Sequence, residues 1–152
     1  MKATDLLKRQ HKEVKSLFKK IEKTENARMR RQLLDQISTD LEAHTAIEEE
    51  IFYPAVRDLG TKKAEEMVAE AFEEHHVVKL VLAEVPKLDP EDERFEAKMT
   101  VLSELVEHHA DEEEEEMFKS AQKLGADELE DLGERMEQRF EEVRGQRQPK
   151  AA

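Results

Sequence analysis

LEAHTAIEEEIFYP, residues 41–54, decides how the chain folds, because its His44-x-x-x-Glu48 centre returns as His109-x-x-x-Glu113 within LVEHHADEEEEEMF, residues 105–118. A further histidine precedes each copy, His11 before the first and His75 before the second. The shifts are 64 residues from His11 to His75, 65 from His44 to His109 and 65 from Glu48 to Glu113, so the halves differ by about one loop residue. Neighbours keep the same register. Val14 and Lys15 match Val78 and Lys79; Leu34, Ile37 and Leu41 match Met99, Leu102 and Val106; Glu42, Glu49 and Glu50 match Glu107, Glu114 and Glu115.

Each copy lies in a helical pattern. The apolar residues around it step by three and four, and few Gly, Pro or clustered β-branched residues interrupt them. A first helix opens at Thr4 or Asp5 and carries Leu7, His11, Val14, Phe18 and Ile21 on one stripe. A second, from about Asn26 to the Pro54 region, carries Leu34, Ile37, Leu41, His44, Glu48, Ile51 and Ala55. Gly60 and Thr61 stop one helix and start the third, with Val68, Phe72, His75, Val78, Leu82 and Val85. Asp89 and Pro90 read as the cap and first residue of the fourth, which carries Phe95, Met99, Leu102, Val106, His109, Glu113 and Met117. Short connections make sequential helices antiparallel neighbours. The fold expected is all-α: an up-down-up-down four-helix bundle over residues 1–124. Residues 125–152 are expected to add a short fifth helix, Asp127 to Arg144, and a disordered tail from Gly145 in the same domain.

Composition narrows the partners. A net charge of −13 opposes nucleic acid and anionic membranes and favours cations. With no Cys, any metal is held by nitrogen and oxygen. The start MKATDLLKRQHKE is charged before any signal-like apolar run, and no stretch approaches a membrane span, so a cytoplasmic protein is expected.

The repeated residues share one chemistry. Residues four apart on a helix face the same way, about 6 Å apart along the axis, so each H-x-x-x-E is a chelating arm. His11 and His75, facing the arms from the other two helices, complete a metal set of His11, His44, Glu48, His75, His109 and Glu113. Glutamates can bridge two ions and imidazoles can cap each. Six residues are sparse for two ions, leaving positions for exogenous ligands. A lone core histidine is ordinarily a hydrogen-bonded structural residue, and a lone H-x-x-x-E is common in so acidic a chain. The recurrence decides otherwise, since a given position is His with a frequency of only about 0.04. Burying these groups without a cation would also cost several kcal/mol per uncompensated charge.

The remaining polar residues receive plainer readings. His76 and His108 sit beside chosen ligands but turned by about 100°, and read as outer partners or surface residues. The Asp111 to Glu116 run, apart from Glu113, reads as a solvated face. Tyr53 reads as a helix-end aromatic packed on the bundle, with a redox neighbour as the other reading.

HKEVKSLF (11–18), LEAHTAIEEEIFYP, EEHHVVKLVL (73–82) and LVEHHADEEEEEMF together resemble the hemerythrin-like, or HHE cation-binding, family over residues 1 to about 120. The resemblance implies a non-heme di-iron centre, oxo- or hydroxo-bridged, with His11, His44, His75 and His109 as terminal ligands and Glu48 and Glu113 as bridges. It implies small-molecule partners such as dioxygen, peroxide or nitric oxide. Two departures stand out. Oxygen carriers of the family have another histidine one turn after the third-helix ligand, where this chain has Lys79. Their last carboxylate is usually an Asp five residues after the histidine, whereas Glu113 is four after His109. The missing fifth imidazole favours reaction or sensing over reversible oxygen carriage. Iron handling or stress response, and a helical interaction module with a structural metal, are the alternatives; manganese or zinc also suit the donors. A ferritin-like oxidase would need Glu-x-x-His on two helices, and only Glu73-x-x-His76 has that spacing.

Overall fold

The computed structural model describes residues 1–147. Helix α1 spans Ala3–Lys23. A rod follows in which α2 (Ala27–Ile47) passes through a π-helical turn at Glu48–Phe52 into α3 (Tyr53–Arg57). Helix α4 spans Lys62–Glu84 and ends in a 3-10 turn at Val85–Lys87. A second interrupted rod runs from α5 (Glu93–Glu112) through a π turn at Glu113–Met117 into α6 (Phe118–Ala121), closing in a 3-10 turn at Gln122–Leu124. Helix α7 spans Ala126–Arg147. The first four rods form the antiparallel bundle.

Local chemistry sets the ends. Asn26 accepts from the Met29 amide and Thr61 from the Ala64 amide, each satisfying one donor of a helix start. Gly60 (φ +75°) and Gly125 (φ +90°) take the left-handed conformations that turn the chain out of α3 and into α7. The fourth rod starts three residues later than Asp89 and Pro90 suggest. Asp89 instead closes a turn by accepting from the Glu91 amide, and Asp92 caps α5 by accepting from the Arg94 amide. Arg30 and Arg31 of α2 hold that connection by donating to the carbonyls of Pro90, Pro86 and Leu88.

Both π turns begin at the repeated glutamate. The Tyr53 amide donates to the Glu48 carbonyl and the Phe118 amide to the Glu113 carbonyl, each reaching back five residues. Pro54 is not the cause, because Lys119 stands at its place in the other rod. The extra residue rotates everything beyond the glutamate. In the first rod the core therefore takes Phe52, Tyr53 and Val56, where regular stepping expects Ile51 and Ala55, both only half-buried.

Two apolar layers fill the bundle. One holds Val14, Phe18, Leu34, Ile37, Val78, Phe95 and Leu102; the other holds Leu6, Leu7, Ile47, Phe52, Val68 and Phe118. The second layer also takes in Leu129, Leu132, Met136, Phe140 and Val143 of α7, which packs on α1 and α2. This stripe explains why the fifth helix is as long as the others rather than short, and why Gly145 to Arg147 are helical rather than disordered. The rest of the expected tail, 148–152, lies outside the described residues. Helix α7 also crosses the chain start closely: a Cβ on Gly133 would fall 1.9 Å from the Met1 carbonyl oxygen.

Candidate metal centre

Between the two apolar layers lie His11, His44, Glu48, His75, His109 and Glu113, all buried, Glu48 completely. The bundle thus brings together all six residues expected from the repeat. Their donor atoms form two overlapping groups able to hold a metal ion, His11–His44–Glu48–Glu113 and Glu48–His75–His109, within which the donors lie no more than 4.8 Å apart. His11 Nε2 is 3.2 Å from Glu113 Oε1; Glu48 Oε1 is 3.2 Å from His44 Nε2 and 3.0 Å from His75 Nε2. These approaches lack hydrogen-bond alignment. His11 Nε2, both oxygens of Glu48 and Oε1 of Glu113 are buried without a hydrogen-bond partner.

Outside the cluster the opposite holds. Every imidazole donates from Nδ1: His11 to Glu114 (2.9 Å), His44 to Gln10 Oε1 (2.7 Å), His75 to Glu49 (2.8 Å) and His109 to Glu74 (2.7 Å). Fixing the proton on Nδ1 turns the Nε2 lone pair of a neutral imidazole inward, the arrangement a metal-ligating histidine requires. Orphaned buried acceptors inside and satisfied donors outside are what a cation relieves, and the nitrogen and oxygen set suits iron, manganese or zinc.

Protons stand in for such a cation in the metal-free protein. Burial opposes charge on His109, but Glu113, Glu74 and Glu48 outweigh it and push its pKa up to about 11. His11 and His75 are raised in the same way, against burial, chiefly by Glu113 and Glu48 respectively. Glu113 is held well below the ordinary carboxylate range despite burial, chiefly by His109. Glu49 is lowered to about 2, first by the hydrogen bond from His75, with Lys79 contributing after burial's opposing effect.

Tyr53 packs into the bundle as expected, against Phe52 and Phe72, but its hydroxyl also reaches the cluster. Its ring is fully buried, and its hydroxyl donates to Glu113 Oε2 at 2.5 Å and lies 3.1 Å from Nε2 of both His75 and His109. Burial, reinforced by Glu113 and Glu48, keeps the phenol protonated well above its usual range. Only the π turn brings it there. At the matching place in the other rod, Phe118 stacks on His11 with ring planes 4° apart. Glu114 also leaves the expected solvated face to pair with His11. His76 is exposed, as the sequence reading allows, and His108 reaches Glu112 at 3.2 Å on the surface. Lys79 turns outward to Glu49 at 2.9 Å. Above the imidazoles a cavity of about 30 Å³ is lined by Val14, Leu41, Val78 and Val106 and extends towards Gln10, Asp40 and Phe140.

The profile of the hemerythrin HHE cation-binding domain matches residues 2–121. The chain belongs to this hemerythrin HHE family. An uncharacterized Mycobacterium tuberculosis protein is 32% identical over 148 residues, which are 95% of this chain and 89% of that protein; a Mycobacterium bovis protein matches equally. The crystal structure of a hemerythrin HHE cation-binding domain-containing protein from Mycobacterium kansasii shares the fold with a TM-score of 0.84 at 31% identity, covering 96% of this chain and 89% of that one. A Nostoc protein named DNA nickase is 27% identical over 118 residues, only 33% of its length. This hemerythrin-like chain is therefore a helical member of a cation-binding family with a buried His/Glu cluster able to hold a metal. Among its described residues no helix is long and apolar enough to cross a membrane.

Proposed function

We propose that the chain holds a dinuclear iron centre and uses it to bind, sense or react with a small molecule such as dioxygen, peroxide or nitric oxide. His11 and His44 would hold one ion, His75 and His109 the other, with Glu48 and Glu113 serving both. When bound, iron would supply redox chemistry and open positions for an exogenous ligand. The observation that carries this reading is the set of buried, unpartnered donor atoms aimed at one another between imidazoles already oriented from outside.

The chain's own residues would do the rest. Glu49, Glu74, Glu114 and Gln10 fix the imidazole planes through Nδ1. Val14, Leu41, Val78 and Val106 exclude bulk water from a cavity large enough for a diatomic molecule or one water. The protonated Tyr53 hydroxyl can donate a hydrogen bond at the edge of the cluster. Lys79 supplies no additional ligand, since its ammonium is paired with Glu49 outside, which favours reaction or sensing over stable oxygen carriage.

Metal analysis with absorption spectra tests the proposal. Protein loaded with ferrous iron under anaerobic conditions is expected to hold close to two irons per chain and to develop near-ultraviolet charge-transfer bands on meeting oxygen. Glu48→Ala and Glu113→Ala should each abolish that spectrum. A protein that stays colourless and iron-free after loading refutes the reading.

A further inference from the structure

The two halves of the centre are held differently from outside. His11 and His75 each donate Nδ1 to a carboxylate, Glu114 and Glu49, which match across the repeat. His44 and His109 do not have matching partners. His109 donates to the carboxylate of Glu74, whereas His44 donates to the neutral amide oxygen of Gln10, the residue in register with Glu74. The difference extends outward: Glu74, His108 and Glu112 form a polar cluster, while the matching positions are Gln10, Ala43 and Ile47. Gln10 is buried, so solvent does not compensate for its missing charge.

We infer that Glu74 and Gln10 are positioning residues that make the two metal positions unequal, the His75–His109 position binding its ion first and tightly and the His11–His44 position binding second and weakly. A carboxylate behind an imidazole makes its outer nitrogen a better ligand, and such partners are worth about 10- to 100-fold in metal affinity. Both imidazoles of the tight position have a carboxylate behind them, but only one of the two in the weak position does. The second ion would then be the exchangeable one, and the cavity reaches Gln10 on its side.

This inference rests on the dinuclear reading, and stepwise titration of metal-free protein with cobalt(II) alone, against a competing chelator, separates the two. Two steps about 10- to 100-fold apart are expected. Gln10→Glu should raise only the weak step and Glu74→Gln should lower only the tight one, so that either change narrows the gap from its own direction. His44→Ala should retain one ion at close to the native tight affinity, while His109→Ala should retain one at the weak affinity. Circular dichroism of each metal-free variant confirms that it has folded, and if His109→Ala does not fold, the Gln10→Glu and Glu74→Gln pair decides. Two ions bound with equal affinity, or shifts in the same direction for both exchanges, overturn the inference and leave the dinuclear centre standing. One ion or none overturns both.

Discussion

The two halves of the bundle agree where a metal would touch them and differ where it would not. His11, His44 and Glu48 correspond to His75, His109 and Glu113, and even the π turns begin at the same relative residue. Around them the register breaks: Tyr53 stands where the other half has Phe118, Glu74 stands where the first half has Gln10, and among the described residues α7 packs chiefly on α1 and α2. On the proposed reading, repetition would supply the means of holding ions, and its failures would give the two halves different surroundings. Four experiments test that division.

The largest effect is expected from pH on the metal-free protein. His109, His75 and His11 have folded pKa values raised above 6.5. They contribute stability that is fully present below about pH 6.5 and is lost as pH rises, for His109 towards about 11. Glu49 and Glu113 have lowered values, so their contribution is present above about pH 4.5 and is lost on acidification, for Glu49 through about 2. Metal-free protein should thus be most stable between about pH 4.5 and 6.5 and lose Tm steadily on the alkaline side. Loaded protein should not follow, because metal binding needs deprotonated imidazoles and strengthens as pH rises. Parallel melting curves for the two forms across pH 6 to 10 would sink this account.

Exchanging the aromatic pair comes next. Tyr53→Phe makes the halves alike but leaves Glu113 Oε2 without its 2.5 Å donor. A loss of about 1–3 kcal/mol in metal-free stability is expected from chemical unfolding. Phe118→Tyr makes the halves alike in the other sense, placing a hydroxyl beside the stacked His11 ring, and should also destabilise by about 1–3 kcal/mol through overpacking. If both variants melt like the native protein, the aromatic difference has no energetic role.

How much of this was legible in sequence depended on whether periodicity survived. His11, His44, Glu48, His75, His109 and Glu113 were readable because each lies on a regular 3- and 4-step stripe and recurs in register. Tyr53 was not, since the stripe predicts Ile51 and Ala55 beyond Glu48, and a single backbone bond reaching back five residues moves the face on by one. Glu49, Glu74, Glu114 and Gln10 were hidden for another reason: in a chain with 38 acidic residues, nothing in composition separates a carboxylate behind an imidazole from one in solvent. Their positions do follow a rule, one residue after the glutamate or one before the histidine. The length of α7 was underestimated because its stripe is diluted by charge and ends among polar residues.

The coverage of one side by α7 is tested at Gly133. An alanine methyl would collide with backbone of the chain start, which cannot yield as a flexible side chain could. Gly133→Ala should cost about 1–3 kcal/mol and loosen α7, seen as lower Tm and greater proteolysis beyond Gly125, while the α4–α5 side keeps its protection from hydrogen exchange. Uniform loss of protection would mean that α7 supports both halves equally.

The smallest effect is expected where the resemblance to oxygen carriers suggested a large one. Lys79 occupies the position of their additional histidine, yet its ammonium lies outside, 2.9 Å from Glu49, as Lys15 lies 3.2 Å from Asp111 in the other half. Such exposed pairs contribute about 0–1 kcal/mol. Glu49 is kept ionised first by His75 and only then by Lys79, so removing the lysine leaves the imidazole oriented. Lys79→Ala and Lys15→Ala should therefore each shift stability by less than about 1 kcal/mol and leave metal content unchanged. A large loss of metal in Lys79→Ala alone would show that the outward pair reaches the centre through Glu49, adding Lys79 to the differences that make the halves unequal.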